Sequence, residues 1–168
     1  MSRRLSLPML LAGAAAWITV AACDGARAQE VHEHEHAQQH AHYSAGEPGE
    51  ASKPARTVAI EMRDAEGKMA FAPERIEVRK GEQIRFVLSN AGALEHEFVL
   101  ASKADNSAHA EMMKQMAPMQ HDQPNGKRLA SKSAGEIVWK FTQAGEFEFA
   151  CLIPGHYEVG MHGSVVVK

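Results

Sequence analysis

A chain of 168 residues, 45% apolar and 23% charged with a formal net charge of −3, has room for one globular domain with additions. It carries no basic block, which argues against nucleic acid or anionic lipid as a partner. Of its two cysteines, Cys23 falls in an apolar leader, so Cys151 is the single thiol that a soluble processed chain retains.

Arg3 and Arg4 precede an apolar run from Leu5 to Ala22 and then ARAQ, the pattern of a secretory signal peptide cleaved after Ala28. The run is short for a membrane span. VAAC, Val20 to Cys23, carries a competing reading as a lipobox, in which Cys23 is acylated and anchors the chain to a membrane. Both readings place the protein in the periplasm, free or as a lipoprotein facing it. An exported chain with one unpaired thiol needs a use for it, and metal ligation is one. Removal of residues 1–28 takes away three arginines and one aspartate and brings the charge to −5.

Residues 29–55 have the composition of a disordered tail, rich in Glu, Gln, Gly and Pro and poor in apolar side chains. His32, His34, His36, His40 and His42 crowd into eleven residues of it. Tethered imidazoles at that density suit metal binding; a solubilising tail without selected affinity is the plainer alternative.

From residue 56 to 168 the pattern becomes β. TVAIEM, RIEVRK, QIRFVLSN, HEFVLA, EIVWKF, EFEFAC and GSVVVK are short β-branched and aromatic runs, most of them separated by turn signals such as RKGE, NAG and QAGE. Seven such runs predict an antiparallel, all-β sandwich. ADNSAHAEMMKQMAP interrupts them as an inserted helix that Pro118 ends, followed by a loop to about Lys127. In this insert Met112, Met116 and Met119 have the spacing of a core stripe. Together with Met113, His109 and His121 they also form a donor set that suits Cu(I).

Strand alternation aims the remaining candidates. Phe147, Phe149 and then Cys151 fall on one face, and His96 shares a face with Phe98 and Leu100, so both donors point inward at strand ends. Pro154 and Gly155 favour a tight return that brings His156 and Met161 back towards Cys151, each four residues beyond the last. Two imidazoles, a thiolate and a thioether make the donor set of a type 1 (blue) copper site, with methionine as the weak axial ligand. Zinc fits this set poorly, because a thioether is an unusual zinc ligand.

FAPERIEVRKGEQIRFVLSNAGALEHEFVL and AGEFEFACLIPGHYEVGMHG resemble the two signature halves of the cupredoxins, the plastocyanin and azurin relatives, over about residues 56–168. The resemblance implies a Greek-key sandwich and carries over His96, Cys151, His156 and Met161 as ligands of one copper. His162 matches no family ligand and is expected at the surface. HAEMMKQMAPMQHDQPN and the histidine-rich tail are further similar to periplasmic copper-tolerance members, the CopI-like proteins. Two roles follow: copper handling and tolerance, with additional copper ions in tail and insert, or a dedicated electron carrier whose redox partner docks near Leu152, Ile153, Pro154 and His156. A multicopper oxidase would need several such domains, so an enzyme is disfavoured, Cu(I) oxidation apart.

Overall fold

The computed structural model describes residues 42–65, 67–115 and 123–168. Their strands are β1 (Glu47–Pro48), β2 (Arg56–Ala65), β3 (Lys68–Ala72), β4 (Arg75–Val78), β5 (Gln83–Asn90), β6 (His96–Ala101), β7 (Gly126–Leu129), β8 (Ala134–Lys140), β9 (Gly145–Ala150) and β10 (His162–Val167). One helix, α1 (Lys103–Gln115), follows β6 among the described residues. Two five-stranded sheets, ordered β1-β8-β5-β2-β3 and β4-β10-β9-β6-β7, face each other.

The inner faces are set by period-2 alternation. Ile84, Phe86 and Leu88 of β5 and Phe98 and Leu100 of β6 are fully buried, each separated by a residue that is more exposed. Phe98 stacks on Phe149 with ring centroids 5.3 Å apart, and Phe71 meets Phe149 edge-on at 5.2 Å. These rings join the two sheets directly below the end where His96 and Cys151 lie.

The all-β sandwich is as expected, but its pairing is mixed rather than antiparallel. β2 runs parallel to β5, and β4 runs parallel to β10. The chain leaves the first sheet after β3, lays β4 in the second and returns for β5, so β2 and β5 meet in the same direction. Strands β1, β3 and β7 are additions to the seven expected runs. Each is short, and β7, GKRL, lacks alternation of its own; its place comes from pairing with β6, where Leu129 lies opposite His96.

The stretch 42–55, expected as the end of a disordered tail, packs on the sandwich. Ala45 is fully buried, and Tyr43 meets Trp139 edge-on at 5.3 Å. Trp139 Nε1 donates to the Ala45 carbonyl at 3.3 Å, and Gly49 N–H donates to the Val138 carbonyl at 2.8 Å. The segment closes the open edge of β8 and gives a buried indole its acceptor, which outweighs its low apolar content. The ordered domain therefore begins ahead of the expected boundary at residue 56. The leader and tail residues 1–41 lie outside the described residues.

Helix α1 begins on a reciprocal cap: Ser102 Oγ accepts the Asp105 N–H at 3.1 Å and donates to the Asp105 carboxylate at 2.7 Å. Met112 is the one residue of the expected methionine stripe that lies among the described residues, and it does not seat the helix. Met112 is 48% exposed, and the buried residue of the helix is Asn106. Asn106 Nδ2 donates to Glu148 Oε1 at 3.1 Å, so α1 lies over the outer face of β9 through a polar contact. Pro118, which was expected to end the helix, lies outside the described residues.

Candidate metal centre

His96 opens β6 and is fully buried. Its Nε2 lies 2.9 Å from Asp64 Oδ2. Asp64 also accepts the N–H groups of Ala93 and Leu94 at 2.9 and 2.8 Å. Those two backbone bonds lead the causes that hold its carboxyl down at about 2. An ionised carboxylate can only accept, so a neutral His96 that donates to it through Nε2 keeps its Nδ1 lone pair for a metal. Nδ1 points at His156 Nδ1, 3.2 Å away.

Cys151 follows β9 and is fully buried. Its Sγ accepts the Glu97 N–H at 3.4 Å and lies 3.3 Å from His156 Nδ1. Burial pushes the thiol up to about 12, with the Glu97 N–H opposing. The sulfur is thus held neutral until something positive replaces its proton. His156 is half-buried; burial first, and the neighbouring His96 second, hold its imidazole below the usual range and favour the neutral, ligating form.

The segment from Cys151 to Met161 is two turns closed into a ring by its own backbone. His156 N–H donates to Ile153 O at 3.0 Å and Gly160 N–H to Tyr157 O at 2.9 Å. Met161 N–H donates to His156 O at 3.1 Å, and Cys151 N–H to Met161 O at 3.0 Å. Gly155 and Gly160 turn it at φ of 92° and 99°, where a side chain would strain the backbone. Met161 is fully buried, so its thioether stays on the inner side, and His162 is exposed as expected.

His96, Cys151 and His156 bring their donor atoms within 4.8 Å of one another. Bonds of about 2.0–2.1 Å to imidazole nitrogen and about 2.3 Å to thiolate sulfur would span the 3.2 and 3.3 Å separations with one ion. Three donor atoms of ligating type converging on one point fit a bound metal. Thiolate and imidazole together select a soft to borderline ion such as copper.

The other candidates are placed differently. His109 and Met113 are half-buried beside a cavity of about 30 Å³ that Glu97, Gln123 and Arg128 also line. No second cluster of three His, Cys, Asp or Glu donors occurs among the described residues. Met112 and His42 are exposed, while His32, His34, His36, His40, Met116, Met119 and His121 lie outside the described residues. Of the expected docking patch, Leu152 is buried, because it follows Cys151 inward and its N–H donates to Glu97 Oε1 at 2.9 Å. Ile153 is partly buried and Pro154 exposed. Asp64 and Glu97 escaped the sequence reading. The alternation that points Ile60 and Met62 inward also points Asp64 inward at the end of β2, which is the signal that could have found it.

A two-sheet sandwich that gathers two imidazoles and a thiol at one end has the form of a copper-binding domain. The chain is a member of the plastocyanin/azurin family of copper binding proteins, whose sequence pattern matches residues 58–168, and copper is its cofactor. It is 49% identical over 171 residues to the copper-resistant cuproprotein CopI of Rubrivivax gelatinosus, with 100% of both chains covered. The protein of the same name from Pseudomonas aeruginosa is 35% identical over 155 residues, covering 73% of this chain and 82% of the relative. Among solved structures, auracyanin B matches with a TM-score of 0.56 at 25% identity, over 75% of this chain and 98% of its own.

Proposed function

We propose that the protein is an exported type 1 copper protein of copper handling and tolerance, with His96, Cys151, His156 and Met161 as the ligands. The observation that carries the site is the approach of two Nδ1 atoms and one Sγ to 3.2 and 3.3 Å. Bound there, copper supplies a one-electron Cu(I)/Cu(II) couple. The chain's residues hold the donors in place: β6 fixes His96, the end of β9 fixes Cys151, and the closed loop returns His156 and Met161. Full-length similarity to a copper-resistant cuproprotein supports tolerance as the role. The leader pattern of residues 1–28 supports export to the periplasm. The tail histidines and the methionines of the insert are accessory copper donors in this reading.

The test has two parts. Purified protein given Cu(II) turns blue or green from thiolate-to-copper charge transfer, and Cys151→Ser abolishes the colour. Strong colour in that variant would overturn the ligand assignment. A deletion strain grown on copper is sensitive while respiring normally. The second role, a dedicated electron carrier, is favoured by apolar side chains left exposed at this end, Val159 and Leu94 at 48% and 47%. Loss of respiration with unchanged copper tolerance would select it.

A further inference from the structure

Asp64 is the one carboxylate that touches the far nitrogen of a donor imidazole among the described residues. It sits on the last inward position of β2, with its side chain 13% exposed and His96 wholly buried. The space is made for it. A Cβ on Gly92 would lie 2.2 Å from Asp64 Oδ2, so position 92 has to lack a side chain for the carboxylate to reach His96. A backbone carbonyl in the same place would accept the same proton without bringing a charge. This chain has a full negative charge there, backed by two loop N–H groups rather than by a cation.

We propose that Asp64 is a charged positioning residue for the copper centre, holding His96 in the Nε2–H tautomer and biasing the centre towards its more positive oxidation state. The inference rests on His96 being a copper ligand. Oxidation of Cu(I) to Cu(II) releases one electron and leaves one more positive charge at the site. A carboxylate one imidazole ring away favours that charge directly, and it raises the basicity of the ring nitrogen facing the metal. The burial of His96 and the small exposure of Asp64 reduce screening by water and salt. Asp64 is thus set against the burial of the site, which by itself favours the less charged reduced form.

A purely structural role, capping residues 93–94, is the rival account, and the loop offers its own control. Ser131 Oγ donates to the Gly92 carbonyl at 2.8 Å and anchors the same loop without touching Asp64 or His96. The experiment is a spectroelectrochemical titration of the copper-loaded wild type, Asp64→Asn and Ser131→Ala. In Asp64→Asn the Cu(II)/Cu(I) ratio at a fixed applied potential falls about tenfold, equivalent to about 59 mV for a one-electron couple. In Ser131→Ala it stays within about twofold. Equal shifts in the two variants, or none in Asp64→Asn, would overturn the proposal. A measurement on the metal-free wild type does not depend on the variants folding. Nitrogen-15 correlation spectra of His96 show the proton on Nε2; a proton on Nδ1 would overturn the proposal as well. Colour that survives Cys151→Ser removes the ligand assignment and this inference together, whereas a coloured wild type with an unmoved Asp64→Asn potential removes this inference alone.

Discussion

The two histidines reach the centre from different ground. His96 stands on β6, wholly buried, two residues from the Phe98–Phe149 stack and tied to Asp64 behind it. His156 stands on a loop without strand partners, half-buried and flanked by two glycines at positive φ. The same donor atom is therefore presented once by sheet packing and once by a ring of four backbone hydrogen bonds. The contrast shows how a rigid site is built economically: sheet packing sets one side, and a short closed loop needs only to return the remaining donors to it. It also fixes where solvent meets the centre, which is the loop side.

Four perturbations test that contrast, in descending order of effect. Phe149→Ala removes the ring shared by Phe98 and Phe71, and its expected cost is about 3–5 kcal/mol in urea unfolding of the metal-free protein. A cost under about 1 kcal/mol would mean that the aromatic layer is not what makes the His96 side rigid. The second concerns Cys151, which closes the packed side. With its thiol held at about 12 against an ordinary 9.0, its thiolate fraction at pH 8 is about a thousandfold below that of the unfolded chain. Alkylation of the metal-free folded protein by iodoacetamide should slow by a similar factor. Fast alkylation would show that the packed side opens as readily as the loop.

On the loop side the expected effects are smaller. Tyr157→Phe deletes the hydroxyl that donates to Glu148 Oε2 at 3.1 Å, for a loss of about 1 kcal/mol measured as a shift of the urea midpoint. A loss as large as that of Phe149→Ala would erase the distinction between the two sides. Smallest is the start of α1, the helix that leans on the loop. The side chains of Ser44 and Ser102 hold the Asp105 carboxyl below its ordinary 3.8. A carboxyl with a lowered folded pKa adds stability that is complete above the unfolded value and lost as pH falls through the folded one. The stability difference between wild type and Asp105→Asn should hold constant above about pH 5 and shrink below it. A difference that grows on acidification would contradict the assigned cap.

Alternation is a local property, and what it controls was legible. It aimed His96 and Cys151 inward, and both are fully buried. Pro154 and Gly155 announced a return of His156, and its Nδ1 lies against both other donors. What was not legible depends on partners far away in the chain. β7 has no pattern of its own and exists because β6 offers it an edge. β1 is two residues long and holds because Trp139 needs an acceptor and β8 needs a cover. Asp64 is an ordinary strand-end acid until the fold brings it to a residue 32 positions away. Met112 shows the opposite error: helical spacing suggested core, but α1 has one sheet face to lie on and meets it through Asn106.

Glu148 lies on the outer face of β9, where α1 covers it. One of its oxygens binds Asn106 of the helix and the other binds Tyr157 of the loop. The insert and the loop that carries His156 are thereby joined through Glu148, alongside the Lys114–Glu158 ion pair at 3.5 Å. If α1 lifts, Glu148 meets water, and Tyr157 loses the fixed end of its hydrogen bond to β9. Amide hydrogen exchange in the two segments should then follow one shared opening event rather than two independent ones. The insertion that looks like an appendage in the sequence is mechanically part of the loop's clasp.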